Sequence, residues 1–469
     1  MAFAARVSGP PIAPSILYKV PIVLSFRAVL LPAVLAASMT PALAQSAPQG
    51  FAVSGSVRLR YETIDGQGRA GFNAGDELVN LRSIALLTYT HDAVKLVTEV
   101  YDSRAWGGTM RSALTTGEVN TFEPVQAYVQ ADLGGSLGKG TKAVVQAGRF
   151  TVNFGSRRLV ASDDYRNTTN SFTGLRGDMT APGGISATAI YVLPQTRLPD
   201  DGAALRDNAT ALDKESFAAV LWGGLIAHRA KGSPVLSEIS FLHFGERDAP
   251  GRPSRDRSLN NLGLRINADP RPGQFDWGAE AIYQWGQTSL TASSTTALVP
   301  VRATFLRLQA GYSWAAPWTP HVLVELDRAS GAGTGHTYSR FDPLFGMRRA
   351  DLGPAGLYNA IGRTNIASPG VRLELTPSKQ NDLFVGYRLL WLANSHDAFS
   401  TTGVKDGSGT SGSFAGQQID MRYRHWLIPA KVRFEADATY LARGRFLHQA
   451  PNGRAQDVRY VSFNVTGFY

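Results

Sequence analysis

The sequence predicts an all-β fold: a transmembrane antiparallel β-barrel of about eighteen strands, with short periplasmic turns and long extracellular loops. Three observations predict it. Side chains alternate apolar and polar with period two through most of the chain, aromatic residues gather towards segment ends on the apolar faces, and long connections alternate with short ones.

Successive side chains of a strand point to opposite faces, so a period of two is the mark of a strand with one apolar side. In chain order, Val53, Gly55, Val57, Leu59 and Tyr61 oppose Ser54, Ser56, Arg58, Arg60 and Glu62. Val125, Ala127, Val129 and Ala131 oppose Gln126, Tyr128, Gln130 and Asp132, and Leu306, Leu308, Ala310, Tyr312 and Trp314 oppose Arg307, Gln309 and Ser313. Towards the end, Ile419, Met421 and Tyr423 oppose Asp420, Arg422 and Arg424, then Val432, Phe434, Ala436 and Ala438 oppose Arg433, Glu435 and Asp437.

A soluble sandwich would show the same alternation. The aromatics discriminate. Tyr61, Tyr89, Tyr191, Trp285, Trp314, Tyr387, Trp391 and Tyr440 lie mostly towards strand ends on apolar faces, as girdles around a lipid-facing band do.

Strands are expected to start near residues 51, 79, 94, 123, 142, 170, 184, 215, 235, 258, 274, 302, 319, 367, 381, 415, 430 and 457. Short connections include His91-Asp92-Ala93, 269–273, 315–318, 377–380 and 428–429, several with the glycine or proline that turns favour. Long ones fall between them at 64–78, 104–122, 153–169, 194–214, 246–257, 288–301, 330–366, 395–414 and 444–456. If the first strand runs outward, every long loop lies outside the cell. The last strand, Val461 to Tyr469, alternates and ends on an aromatic residue; pairing it with the first would close the sheet and remove its edges.

The N-terminus has the layout of a cleaved secretory signal peptide over residues 1–44, leaving 45–469 as the barrel: Lys19 and Arg27, an apolar stretch from Ala28 to Ala37, then Ala42-Leu43-Ala44. That stretch is interrupted by Pro32 and is shorter than the ~20 residues of a membrane-spanning helix. With no cysteine, neither a disulfide framework nor a thiolate metal site is available. Removing Arg6, Lys19 and Arg27 takes the formal charge from +10 to +7, which suits an anionic partner, and export argues against nucleic acid.

A barrel of this size is too wide for its own side chains to fill and leaves an aqueous channel that loops can narrow. The alternation puts Arg58, Arg60, Arg307, Arg372, Arg388, Arg422, Arg424 and Arg433 on the inner faces, with Arg82 and Arg149 less sharply phased. Guanidinium rings favour anions, because the group stays charged and binds carboxylate through two parallel bonds. The same faces carry Glu62, Asp132, Glu280, Glu325, Asp327, Glu374, Asp420, Glu435 and Asp437. For any one arginine, pairing across neighbouring strands in a wall-stiffening ladder is the commoner role, and only an unpaired arginine at a constriction acts on cargo.

Other signals are weaker. His91, His321, His336, His396 and His448 fall in or beside turns, His228 and His425 lie near strand ends, and Ser240 lies on the opposite face from His243, so no catalytic group and no enzyme is expected. Asp163-Asp164 and Asp200-Asp201 read as solvated acids of outer loops ahead of cation ligands. The glycines at 331, 333 and 335 and over 407–412 lack the strand and helix of a phosphate cradle. No metal and no cofactor is expected.

Several stretches resemble the alginate export family of outer-membrane proteins across nearly the whole chain beyond residue 44. They are Glu99-Val100-Tyr101-Asp102-Ser103-Arg104; Gly148-Arg149-Phe150 through Phe154-Gly155-Ser156-Arg157-Arg158-Leu159; Asn170 to Arg176; Phe341-Asp342-Pro343-Leu344-Phe345-Gly346; and Gly416 to Pro429. The resemblance implies an eighteen-stranded barrel in the bacterial outer membrane, with a basic constriction that guides a polyuronate outward. On the matching stretches that role falls to Arg149, Arg422 and Arg424, with Glu99, Asp102 and Arg104 near the outer end of the third strand. The expected partners are outer-membrane lipid and lipopolysaccharide, an anionic carbohydrate cargo and, as a further option, periplasmic export components. The alternative is a general or weakly anion-selective diffusion porin, and the expected gates are loops 153–169 and 330–366.

Overall fold

In the computed structural model, residues 49–293, 296–349 and 351–469 are described; the signal peptide expected over residues 1–44 lies outside them. Eighteen antiparallel strands form one sheet. They are β1 (Gly50–Asp65), β2 (Asp76–His91), β3 (Val94–Trp106), β4 (Asn120–Gly134), β5 (Lys142–Phe150), β6 (Phe172–Ala181), β7 (Ile185–Pro194), β8 (Ala219–His228), β9 (Val235–Glu246), β10 (Ser258–Ala268), β11 (Gln274–Ser289), β12 (Leu298–Ser313), β13 (His321–Ala329), β14 (Ile366–Ser378), β15 (Asn381–Trp391), β16 (Phe414–Ile428), β17 (Val432–Arg443) and β18 (Val458–Phe468). Each lies within a few residues of the segment expected from the alternation. Among the described residues, two single-turn helices, α1 (Gly202–Arg206) and α2 (Arg445–Gln449), sit in long loops.

Each strand pairs with its sequence neighbours, and β1 pairs with β18 from Ser56 opposite Phe468 to Asp65 opposite Arg459. That last pairing closes the barrel. Closure satisfies every ladder group inside the sheet, which a membrane-spanning sheet requires because hydrocarbon offers no hydrogen-bond partner.

The faces are inverted relative to a soluble protein. On β1, Leu59 is 52% exposed and Val57 and Tyr61 are also on the outside, whereas Arg58, Glu62 and Arg60, the last only 1% exposed, are buried within. Aromatic rings mark both rims. Phe51 meets Tyr89 at 4.6 Å near the short turns, and Tyr283 stacks on Trp285 at 5.6 Å near the long loops. Placing arginine at Leu59, near mid-height of β1, is expected to cost about 2–4 kcal/mol of folding free energy in a bilayer. An equilibrium folding titration into lipid vesicles measures it; an unchanged midpoint would mean that this face does not meet lipid.

The apolar core lies inside the barrel, in the half bounded by the long loops. Phe150, Phe172, Phe244 and Phe305 project from the wall, and Leu352, Leu357, Tyr358, Ile361, Phe399 and Phe446 come from inward-folded loops. Loop 330–365 supplies most of the filling. Burying a side chain such as Leu357 or Ile361 stabilises by ~1.5–3 kcal/mol, which favours the folded-in position over one in water. The expected aqueous channel is therefore occupied in its extracellular half.

Candidate functional site

Two of the motif stretches noted in the sequence meet in the lumen. The backbone NH of Phe345 donates to Leu159 O at 2.9 Å, Ala161 NH donates to Phe345 O at 3.2 Å, and Met347 NH donates to Arg157 O at 3.1 Å. Gly346 sits at the crossing, where a Cβ would stand 1.9 Å from Arg158 O. Only a residue without a side chain lets loops 151–171 and 330–365 approach this closely.

Ion pairs latch both loops to the wall. Asp351 accepts from Arg158 Nε at 2.9 Å and Nη2 at 3.0 Å, bonds to Arg363, and lies 3.7 Å from Arg307 Nη2. Burial opposes the charged form of Asp351, but Arg158, Arg307 and Arg363 outweigh it and hold the carboxyl well below the usual carboxylate range. Arg158 also bonds Glu280 of β11, and Arg349 reaches Asp420 of β16 at 2.9 Å and bonds Asp437 of β17. Along the wall, Arg307 pairs with Glu325 at 2.5 Å and with Asp327, directly opposite on β13, at 2.7 Å. Arg388 bonds Glu325 and lies 3.6 Å from Asp327.

On the short-turn side of these loops lies a cavity of about 510 Å³. Eight arginines line it, Arg58, Arg82, Arg157, Arg349, Arg372, Arg422, Arg424 and Arg433, against four carboxylates, Asp163, Asp164, Glu374 and Glu435. The formal excess is four positive charges. Arg424 Nε stands 2.5 Å from Glu435, and Arg422 Nη2 stands 2.9 Å from Asp382. Phe384 is ringed by three guanidiniums, Arg372 at 4.7 Å, Arg422 at 5.0 Å and Arg349 at 5.1 Å, an arrangement the negative ring face favours. Arg433 lies 5.5 Å from both Trp426 and Phe468. Among the described residues, Arg58, Arg157 and Arg433 form no carboxylate ion pair. Like charges gathered in an enclosed space repel, so this lining is stabilised by any anion that enters.

Six of the thirteen residues singled out from the sequence line this cavity: Arg58, Arg82, Arg372, Arg422, Arg424 and Arg433. Four arginines are placed elsewhere. Arg60 is sealed beneath the Tyr165 ring at 4.3 Å, Arg307 and Arg388 belong to the wall ladder, and Arg149 is paired with Glu123 at 2.5 Å and Glu215 at 2.9 Å. Glu99 is on the inner face, where Gln126 Nε2 donates to it at 2.6 Å.

Asp102 and Arg104 correct the sequence reading. They pair with each other at 3.0 Å on the face of β3 opposite Ser103 and Ala105, which are buried inward. They sit outside the lumen, because Arg82, which points inward, lies opposite Ser103 in the register. Asp163 and Asp164, read as solvated outer acids, are a second correction: Asp163 is buried, and Asp164, though exposed, lies inside the barrel. Asp163 stands 3.1 Å from Arg166, and Asp164 pairs with Arg82 at 3.0 Å. The sequence reading missed Arg157 and Arg349, since period two carries no phase into a loop. The one available signal was apolar: Leu352, Leu357, Tyr358 and Ile361 are out of place in a loop facing water.

A family model described as alginate export matches residues 51–461. No curated protein shows a significant sequence match. Among solved structures, OccK2 (OpdF) of Pseudomonas aeruginosa, solved in complex with glucuronate, is 13% identical, with a TM-score of 0.54 over 90% of this chain and 98% of that one. OpdK of the same organism, with vanillate, is 11% identical, with a TM-score of 0.55 over 89% and 98%. OccAB1 of Acinetobacter baumannii is 10% identical, with a TM-score of 0.57 over 89% and 96%. At such identities the likeness is one of fold.

Proposed function

This chain belongs to the alginate export family and is a channel of the bacterial outer membrane, and on that premise we propose that it passes an anionic, alginate-like polysaccharide or oligosaccharide through the arginine-lined lumen. The observation that carries the reading is the cavity with eight arginines against four carboxylates. A uronate carboxylate suits it, because guanidinium binds carboxylate in a planar two-bond fork. The field of the unbalanced arginines raises the local concentration of anions before any contact forms.

A second reading, a diffusion channel for small carboxylates, is favoured by a different observation. The inward loops leave a cavity of about 510 Å³, the size of a small-molecule site (roughly 300–1,000 Å³), and the structural neighbours OpdF and OpdK were solved with glucuronate and vanillate. Planar-bilayer recording separates the two. Both readings expect an anion-selective current. Block that strengthens from glucuronate to longer oligouronates supports the polymer, equal block supports small carboxylates, and a cation-selective or unblockable current sinks both.

A further inference from the structure

Among the acids lining the cavity, Glu374 and Glu435 are fixed on β14 and β17, whereas Asp163 and Asp164 arrive on loop 151–171. Asp163 adopts a left-handed backbone (φ 57°) and is buried against Arg166, and the chain turns there. Asp164 is presented to the cavity. Its side chain is 79% exposed, towards the cavity, and its Oδ1 accepts from Arg82 Nη2 at 3.0 Å.

The loop backbone takes up the donors that remain. Asp164 O accepts from Arg58 Nη1 at 3.2 Å and Arg82 Nη1 at 3.0 Å, and Arg166 O accepts from Arg58 Nη2 at 2.7 Å and Arg82 Nη1 at 3.1 Å. Two inner-face arginines are thus occupied by one carboxylate, two backbone carbonyl oxygens and, 3.4 Å from Arg58 Nη2, Asn167 Oδ1, a set of oxygen acceptors such as a uronate also offers. Enclosure inside the barrel opposes ionisation of Asp164, but Arg82, Arg58 and Arg433 prevail and hold its carboxyl below the usual range. Behind this tip the loop is anchored: Asn167 Nδ2 donates to Leu81 O, Arg104 O and Glu118 O, and Ser103 Oγ donates to Asn167 O at 2.7 Å. Arg60 Nη2 also holds Tyr165 O at 2.7 Å.

We propose that Asp164 is a tethered stand-in for a cargo carboxylate: it occupies a carboxylate subsite framed by Arg58, Arg82 and Arg433, and cargo enters that subsite by displacing it. This rests on the anionic-cargo reading above. Displacement exchanges one carboxylate for another on Arg82, with Arg58 and Arg433 lining the same cavity, so Arg82 is not left uncompensated in the enclosed lumen. It also sets a threshold, since a solute without a carboxylate cannot replace what it removes.

The test is glucuronate block of the full-length channel in planar bilayers. Asp164→Asn, and Asp164→Ser in parallel, should lower the half-blocking concentration about tenfold, as loss of a competing charge-assisted contact predicts. Glu435→Gln, which removes an equal charge from the fixed wall, should shift it less than about threefold. Equal gains from the wall and loop variants would mean that only net charge matters and would overturn the proposal. So would an unchanged half-blocking concentration in both Asp164 variants while the wild type stays anion-selective and blockable, and that result leaves the channel reading intact. A wild type that is neither anion-selective nor blocked by glucuronate overturns the cargo reading and the stand-in with it.

Discussion

Replacing Asp351 with alanine should unlatch the inner loops and enlarge the conducting path. Asp351 is buried, bonds Arg158 and Arg363 and lies 3.7 Å from Arg307, so one carboxylate ties together guanidiniums from loop 151–171, loop 330–365 and β12. Removing it takes from Arg363 its one carboxylate partner among the described residues, while Arg158 keeps Glu280 and Arg307 keeps Glu325 and Asp327; breaking a buried pair from one side costs about 3–5 kcal/mol. The barrel ladder is independent of this contact, so the cost should fall on the loops. The expected results are faster amide hydrogen exchange over residues 345–365, larger single-channel conductance and an intact barrel in the heat-modifiability assay. Asp351→Asn, which keeps the shape and one of the two acceptor oxygens, should lose less. Wild-type exchange and conductance in the alanine variant would refute the latch. The pH dependence follows from the same contact. A carboxyl held below its unfolded value contributes stability that is complete above the unfolded pKa of about 3.9 and is lost only as pH falls through the folded value. The latch should therefore hold from neutral pH down to about pH 4 and weaken only beyond it.

Reversing Arg422 and Arg424 together, as Arg422→Glu with Arg424→Glu, should abolish anion selectivity. The lining changes from eight arginines and four carboxylates to six of each, and the carboxylate introduced at 424 faces Glu435, now 2.5 Å from the arginine it replaces. The reversal potential in a salt gradient should move to near zero or to the cation side, and the half-blocking concentration of oligouronate should rise more than tenfold, the scale of losing one to two charge-assisted contacts. Both positions lie on β16 with Asp382 and Glu435 as neighbours, so repulsion could also disturb the wall. Arg422→Gln with Arg424→Gln separates the effects: it removes charge without adding repulsion and should give an intermediate selectivity. Unaltered selectivity in the double reversal would place the constriction elsewhere.

Both predictions concern residues that the sequence treats very differently. Arg422 and Arg424 sit in a strand whose alternation is enough to place them inward, and the same reasoning places Arg58, Arg372 and Arg433 there. It works because a strand's period of two leaves one bit of information per residue, and lipid on one side with water on the other makes that bit visible as apolar or charged. Asp102 and Arg104 escape the rule. Near the outer rim, a charged pair can leave the lipid for the polar boundary, so their polarity no longer reports the inner face.

By itself, then, the sequence determined the strand count, the closure of the sheet, the gathering of the long loops at one end and the phase of most lumen arginines, all of which follow from local alternation and turn chemistry. Tertiary structure alone decided that loops 151–171 and 330–365 fold inward, that Arg307 and Arg388 are spent on Glu325 and Asp327, and that Asp164 stands among the arginines. Those outcomes depend on contacts between residues far apart in the chain, where loop burial competes with hydration and each guanidinium has several possible carboxylates. No local pattern encodes which partner prevails.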